Sequence, residues 1–426
     1  MKNLNYYLLS CLIAVSFFAC KKSSDLVSST SNNPPPAGSF IKSSHLKGTL
    51  KGSLKQDSTY YLDGDMIVNA TDSFGVSPGA KIIATGNYRI EIAGTLISNG
   101  TDAKPITFSV QDPGTAYANL GLSGYWGGFL IDSTAKYVSI KFTHINYTGG
   151  PDATGSAQAS FDVEGSQSYD AGTKIIFEDN WMFGGIDDGV HLAGNITCSI
   201  KRNVMQRLGG PDGDLFNIKA GAHGDIAYNY IWSSANSGIK LNTGKVVLTP
   251  ETKWNIYNNT IVNGNWRKVG ELSSAILIDQ FAAANIYNNV IVGCRNGINI
   301  STIADVNNCK YSNNLMYMYD AKVDSFTNMP YVLGSAGIQQ STDKIAAGLT
   351  ACGSVFTNWD NDITVDIVDN NVPTLKAGSP AIGTGTTSAS MNFYSVGSAM
   401  NLNSDMGAYP GNGAGNKHLP TTKPVI

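Results

Sequence analysis

The chain has 426 residues, of which 42% are hydrophobic, 46 are glycine and only 14% are charged. Charged residues make up about 25% of typical globular domains, so this composition disfavours long solvated helices and favours many short strands joined by turns. The net charge of −3 and the lack of a basic run exclude nucleic acid as an expected partner.

The N-terminus is typical of an exported protein. An apolar run from Tyr6 to Ala19 ends at Cys20 and is followed by two lysines. The run is too short for a permanent membrane span, so residues 1–20 are predicted to be a signal peptide. Phe17-Phe18-Ala19-Cys20 resembles a bacterial lipobox, in which the cysteine is lipidated, although Phe17 stands where leucine is usual. The alternative is an ordinary secretory signal in which Cys20 is incidental.

Residues 21–45 are rich in serine, asparagine and proline and have too few apolar residues to form a core. They are predicted to be a disordered tether. Acyl chains on Cys20 would then hold the protein on a membrane. We expect an exported protein on the outer membrane, contacting the bilayer only through its lipid. The sequence leaves open whether it faces the periplasm or the cell surface.

One pattern recurs six times in the middle of the chain, each time around an asparagine. The residue three before the asparagine and the residue two after it are apolar or aromatic. Alternation with a period of two is typical of strands with one buried face, and repetition every 23 to 30 residues predicts one unit stacked on itself. The asparagines are expected to form a hydrogen-bonded ladder at a corner of the stack. They are Asn180, Asn203, Asn229, Asn259, Asn289 and Asn314, and an earlier coil fits with Thr143 in the same place.

A second apolar strand follows in each coil, as in Gly238–Leu241 and Gly297–Ile300. No segment of helical period separates the strands, which disfavours a leucine-rich repeat, and a β-sandwich is the remaining alternative. We therefore predict an all-β, single-stranded parallel β-helix, a solenoid, over residues 46–330. An irregular β-rich C-terminal cap is expected over 331–410 and a disordered tail over 411–426.

Six segments carry a resemblance to known proteins: Gly75–Ile82, Ile92–Gly100, Lys104–Phe108, Tyr125–Ile131, Ala377–Ile382 and Asp405–Tyr409. They resemble segments of right-handed parallel β-helix, pectin-lyase-like bacterial lipoproteins. Most such proteins have no assigned activity, and the fold hosts lyases, hydrolases and adhesins. The resemblance covers about residues 50–410, so it implies the right-handed β-helix but not a function.

Three Gly-Gly-x-Asp segments are predicted to stack at one corner in neighbouring coils, with their carboxylates at Asp152, Asp187 and Asp212. These three side chains are candidate Ca²⁺ ligands, because Ca²⁺ prefers several oxygen ligands. The alternative is that each aspartate only closes its own tight turn.

The same corner also has the residue types that an enzyme acting on acidic glycans would need. Paired carboxylates serve a glycoside hydrolase, and a polysaccharide lyase needs a base such as Lys219 or Lys240. The candidate catalytic residues are Asp187, Asp188, His191, Asp212 and Lys240.

Aromatic side chains indicate a second kind of site. Tyr257 and Tyr287 occupy the same outward position in adjacent coils, and Trp266 lies in the loop between strands. Exposed stacked rings are suited to sugar binding. The alternative is an aromatic ladder that only stabilises a sheet face.

Four cysteines follow the signal: Cys198, Cys294, Cys309 and Cys352. Cys198 and Cys309 share an inward position but lie four coils apart, about 19 Å at roughly 4.8 Å per coil. A disulfide needs Cα atoms within about 7 Å, so we predict that these two are not bonded to each other. The disulfide state of the other two stays open.

We expect a monomeric cell-envelope protein that binds carbohydrate or another surface polymer without catalysis. A polysaccharide lyase or glycoside hydrolase acting on acidic glycans is the first alternative, and a structural or adhesive stalk is the second.

Overall fold

The computed structural model describes residues 39–119, 123–163, 173–210, 213–244, 251–268, 273–319, 329–332, 335–360, 372–389 and 391–420. Cys20 and the signal peptide lie outside these residues, as do most of the predicted tether and Asp212.

Each coil of the described chain contributes three short parallel strands rather than two, so the stack has three faces. Sheet 1 has the strand that precedes each ladder position, and its ten strands pair in parallel along the stack. These strands are Gly52–Leu54, Ser73–Val76, Thr95–Asn99, Tyr137–Lys141, Thr173–Glu178, Ile196–Lys201, His223–Ala227, Lys253–Tyr257, Ala283–Tyr287 and Lys310–Ser312.

The strands of sheet 2 follow the ladder positions. The sequence pattern did not separate them from the strands of sheet 1, because they are often only three residues long. Its strands are Lys81–Ala84, Ile106–Val110, Thr143–Thr148, Trp181–Gly185, Val204–Gln206, Tyr230–Trp232, Thr260–Val262, Val290–Val292, Leu315–Met318 and Lys344–Ala347.

Sheet 3 corresponds to the second strand predicted for each coil. Its strands are Arg89–Ile92, Gly128–Ile131, Phe161–Val163, Val190–Leu192, Phe216–Lys219, Ile239–Asn242, Ile276–Asp279, Asn296–Ile300 and Met329–Tyr331. Sheets 2 and 3 are continuous in the first coils, because His45–Thr49 and Thr59–Val68 run through the corner between them.

Few other regular elements occur in the described chain. They are the helices Pro113–Ala118 and Leu349–Cys352, the 3₁₀ turn Val306–Asn308 and an antiparallel pair formed by Phe356–Asn358 and Val372–Leu375. None of the described helices is long and apolar enough to cross a bilayer.

The core lies inside the stack and is formed by one residue in two from every strand. In adjacent coils, Ile226, Ile256 and Ile286 are in register on sheet 1 and fully buried. Equivalent residues of parallel strands lie about 4.8 Å apart, so each inward position becomes a column of packed side chains. The chain is a right-handed parallel β-helix.

The predicted asparagine ladder is present between sheets 1 and 2. Asn259 Oδ1 accepts hydrogen bonds from both the backbone N–H and the Nδ2 of Asn229, each at 3.0 Å. Asn259 in turn donates to Asn289 in the same way. Thr143 lies at one end, where its N–H donates to Asn180, and Asp343 accepts from Asn314 N at the other end. The six ladder asparagines are fully buried, so the ladder satisfies amides that have no access to water.

The residue before each ladder position turns the corner with a left-handed backbone. The φ angles include 55° at Arg202, 57° at Tyr228 and 51° at Asn258. This conformation is uncommon outside glycine and asparagine. It directs the next N–H toward the adjoining coil, where the ladder oxygen accepts it.

The expected cap and tail differ from the structure. From residue 376 the chain runs back along the outside of the stack, and we call residues 376–389 and 391–420 the return segment. Thr386 N donates to Asn288 Oδ1, and the Ser398 carbonyl accepts from Lys201 Nζ.

The prediction of a disordered tail is wrong for residues 411–420. His418 is buried, with its Nε2 3.1 Å from Asp179 Oδ1, and it packs edge-on against Trp181. The tail lacks the alternation of a strand, and its order comes from contacts with coils far away in sequence.

The cysteines of the described chain are free thiols. Cys198 is fully buried and in register with Ile175 and Gly224 on sheet 1. Burial raises the pKa of the Cys294 thiol to about 12 and that of Cys309 to about 11. These thiols are therefore protonated at neutral pH and weakly reactive.

Candidate functional site

The outward residues of sheet 3 form a polar row in which successive coils are in register. Asp162 lies beside His191, which is followed by Asn217, Lys240, Leu277 and Asn299. We call this surface the sheet-3 face. The side chains of His191 and Lys240 keep 22% and 23% exposure, so ligands have access to them.

Asp162 joins Arg89 and His191 at one end of the sheet-3 face. Its Oδ2 accepts a hydrogen bond from Arg89 Nη2 at 2.8 Å, and its Oδ1 lies 2.8 Å from His191 Nδ1. Burial alone would raise the pKa of Asp162, but His191 and the Arg89 guanidinium outweigh it and hold this pKa below its usual value. Asp162 is therefore a carboxylate at neutral pH.

Asp188 and Asp214 are equivalent residues just before adjacent strands of sheet 3. Asp188 Oδ1 accepts from Asp214 N, and Asp214 Oδ1 accepts from Ser237 N. The remaining oxygens contact the sheet-3 face: Asp188 Oδ2 accepts from Asn217 Nδ2 at 2.7 Å, and Asp214 Oδ2 lies 3.0 Å from Lys240 Nζ. The two carboxyl groups thus form a short second ladder that also orients two outward side chains.

The environment of Asp188 favours its neutral form. Burial is the main cause, and the neighbouring charges of Asp214 and Asp187 add to it, so the pKa of Asp188 rises to about 7. Asp162 and Asp188 therefore have pKa values shifted in opposite directions. Such a division between two carboxyl groups is typical of acid–base catalysis, although burial in a structural ladder produces the same shift.

The described residues of the Gly-Gly-x-Asp segments lie at the turn between sheets 2 and 3, where Gly210 N donates to Gly185 O. Asp152 is exposed and closes its own turn, since its Oδ1 accepts from Thr154 N and Ser156 N. Among the described residues, no three potential ligands converge on a metal position. Asp152 thus behaves as the turn residue of the alternative interpretation, and Asp212 lies outside the described chain.

The expected exposure of the aromatic side chains is wrong. Tyr257 and Tyr287 are in register and point outward from sheet 1, but they are 0% and 8% exposed. The return segment covers them, and Tyr257 Oη donates to Met400 O. Trp266 is 8% exposed and its Nε1 donates to Gly293 O. These rings are part of the packing and have no free face for a sugar.

The structure brings together three of the five proposed catalytic residues, Asp188, His191 and Lys240, at the sheet-3 face. Asp187 lies beside Asp188, as its electrostatic effect shows. Sequence reasoning missed Asp162 and Arg89. The alternation Phe161-Asp162-Val163 matches Val190-His191-Leu192 in the next coil and would have identified Asp162 as an outward neighbour of His191.

No protein-family model matches this chain, and no curated protein does. Among solved structures, it is similar to the crystal structure of pectate lyase Pel9A, with 13% identity and a TM-score of 0.26, over 78% of this chain and 88% of that one. The β-helix follows from the strand pairings themselves.

Proposed function

We propose that this β-helix protein binds an extended polysaccharide along the sheet-3 face without cleaving it. The observation that carries the proposal is a polar row over four consecutive coils, from Asp162 to Lys240, in which His191 and Lys240 are partly exposed. Several outward residues of the other sheets are instead buried, such as Glu178 and Tyr257 on sheet 1 and Trp232 on sheet 2.

The repeat of the β-helix suits a polymer. Equivalent side chains recur once per coil, about 4.8 Å apart, so a chain of sugars lying along the stack meets a hydrogen-bonding group at each step. His191, Asn217 and Lys240 offer such groups in consecutive coils. Their positions are fixed by Asp162, Asp188 and Asp214, which limits the entropy lost on binding.

The test is a panel of neutral and uronic-acid polysaccharides assayed with the purified full chain for both binding and product release. We expect binding without product, and Lys240→Met should weaken it by about tenfold, the loss expected for one charge-assisted hydrogen bond. Lys81→Met, which removes an exposed lysine from sheet 2, should bind as the unchanged protein does. Equal affinity of all three proteins would contradict the proposal.

Glycoside hydrolysis is the second candidate function, favoured by the opposite pKa shifts of Asp188 and Asp162. In that case Asp188 is the proton donor and Asp162 the ionised partner. Product release that disappears in Asp188→Asn while polymer binding persists would establish this function instead.

We also propose that the protein is a lipoprotein of the outer membrane with acyl chains on Cys20. Support comes from the apolar run that ends at Cys20 and from the polar residues after it. A polymer-binding β-helix on such a tether would hold cell-envelope polysaccharide close to the membrane.

A further inference from the structure

A cavity of about 630 Å³ lies between the outward side of sheet 1 and the return segment. Sheet 1 and the turn before its last strand provide Lys253, Asn255, Asn285, Asn308 and Lys310. The return segment provides Ala389, Met391, Asn392, Phe393 and Tyr394. Pockets that hold small molecules usually measure about 300–1,000 Å³, so this cavity has room for one sugar unit.

The lining of this cavity favours an anion. Lys253 and Lys310 bring two ammonium groups to it, and none of the ten lining residues has a carboxylate. Glu251 and Asp305 act electrostatically on Lys253 from outside the lining. Burial and a hydrogen bond with Asp305 raise the pKa of Glu251.

The amides of the lining are held in place. Asn255 Nδ2 donates to Asp225 Oδ1 at 2.7 Å and to Asn392 O at 2.9 Å, and Asn285 Nδ2 donates to Asn255 Oδ1 at 2.8 Å. Both N–H groups of the Asn255 amide are used in these bonds, so Asn255 mainly fixes the orientation of Asn285, whose carboxamide has a donor and an acceptor suited to sugar hydroxyls.

Aromatic residues complete the wall of the cavity on the side of the return segment. Phe393 is 41% exposed and packs edge-on against Tyr257, with 5.4 Å between the two ring centroids. Tyr394 Oη donates to the Lys253 carbonyl, which holds this part of the return segment against sheet 1. An exposed ring beside fixed amides is suited to the apolar face of a pyranose.

We propose that the cavity between sheet 1 and the return segment binds an anionic sugar unit, a pyranose that carries a carboxylate or a sulfate. This site is separate from the sheet-3 face, and its ligand would bridge the β-helix and the return segment. Binding would therefore stabilise the docked return segment, because a ligand of the folded state alone increases its stability.

The test uses the full chain with glucuronic acid, glucose 6-sulfate and glucose as probes, measured by titration calorimetry and thermal shift. We expect at least one anionic probe to bind and raise the thermal midpoint, and glucose to bind at least about tenfold more weakly. The two anionic probes distinguish a carboxylate from a sulfate. Lys253→Met and Lys310→Met should each weaken the binding of the anionic probe by about tenfold.

The matched control is Lys174→Met, because Lys174 is exposed on sheet 1 but lies outside the cavity. It should bind the anion as the unchanged protein does. Equal binding of glucose and both anions, or no effect of either cavity variant, would overturn the proposal. Lys240→Met should affect only polymer binding at the sheet-3 face, so the failure of one site is distinguishable from the failure of the other.

Discussion

At the residue scale, the ladder asparagines provide hydrogen bonds to buried backbone groups, which an apolar residue cannot do. Each carboxamide accepts from a backbone N–H of the preceding coil and donates to a carbonyl of that same coil, as Asn259 does with Asn229 and Ile226. The groups involved are buried, so water does not replace a lost partner. An unsatisfied buried polar group costs about 1–3 kcal/mol.

Asn259→Leu is therefore expected to destabilise the protein strongly. It leaves the Asn229 N–H and the Ile226 carbonyl without their partners, so the free energy of unfolding should fall by at least about 2 kcal/mol. Asn242→Leu is the control, because Asn242 is half-buried on sheet 3 and accepts from Gly244 N in its own turn. It should change stability by only about 0.5 kcal/mol. Equal thermal midpoints for the two variants would contradict the ladder.

Asp188 makes stability depend on pH. An aspartate in an unfolded chain ionises near pH 3.9, whereas the pKa of folded Asp188 is about 7. Between these values the folded state binds the extra proton, so stability falls as the pH rises from about 4 to about 7. In this range the free energy of unfolding falls by at most about 1.4 kcal/mol per pH unit.

Asp188→Asn should remove this dependence, because the amide stays neutral. The unpartnered Oδ1 of Asn217 would accept from the new amide once the Asn217 side chain turns over. We expect the thermal midpoint of Asp188→Asn, minus that of the unchanged protein at the same pH, to increase between pH 4 and pH 7 and then to level off. Asp152→Asn provides the contrast, because hydrogen bonds from Thr154 and Ser156 lower the pKa of Asp152. The difference in thermal midpoint between this variant and the unchanged protein should therefore stay constant above about pH 4. A flat difference for Asp188→Asn would mean that Asp188 is ionised in the folded protein.

At the scale of elements, the return segment closes two faces of the stack. It covers Tyr228 and Tyr257 outside sheet 1, and Met406 and Ala408 pack with Trp232 and Val262 outside sheet 2. Gly397 illustrates the fit, since a Cβ there would lie 2.1 Å from Glu178 Oε1, and its φ of 71° favours glycine.

His418→Ala tests whether the last turn of the return segment is docked. The variant loses the contact with Asp179 and the packing on Trp181, so unfolding should become easier by about 1–3 kcal/mol. Lys417→Ala removes an exposed neighbour and should stay within about 0.5 kcal/mol. Denaturation followed by tryptophan fluorescence measures both variants. If His418→Ala matched Lys417→Ala, residues 411–420 would be a loose tail after all.

The elements that the sequence predicted correctly are those whose signal is local. Ile256, Asn259 and Ile261 lie within six residues, so the strand, corner and next inward residue are identifiable without knowledge of the fold. Asp343 was missed because it replaces asparagine at the end of the ladder, although Ile345 keeps the inward position in register with Met316.

The cover over the sheets could not be predicted in this way. Tyr257 alternates outward as an exposed residue would, and contacts with Phe393 and Met400 of the return segment bury it. The return segment has no period of its own, so nothing local indicates where it docks. At the candidate site, Asp162 had a local signal in the alternation that it shares with His191. Arg89 had none, because it reaches Asp162 from two coils away.

At the scale of the whole molecule, the N-terminus is expected to decide where the β-helix works. Cys20→Ala removes the thiol that a lipid would modify, so the variant should move from the membrane fraction to the soluble fraction. Fractionation and immunoblotting of cells that express either form would show this. Cys309→Ala is the control and should remain with the membranes. A Cys20→Ala protein that still sediments wholly with membranes would contradict the lipid anchor.

The docking of the return segment also sets an order of events in folding. His418 contacts Asp179, from which it is separated by 239 residues in sequence. Contacts between residues so far apart in sequence form late in folding, because closing the intervening chain costs entropy. Before the return segment docks, the stacked coils would present Glu178, Tyr257 and Trp232 uncovered. A truncated chain would keep this surface indefinitely, so an unfinished molecule differs from a finished one in the part of its surface that chaperones and proteases recognise.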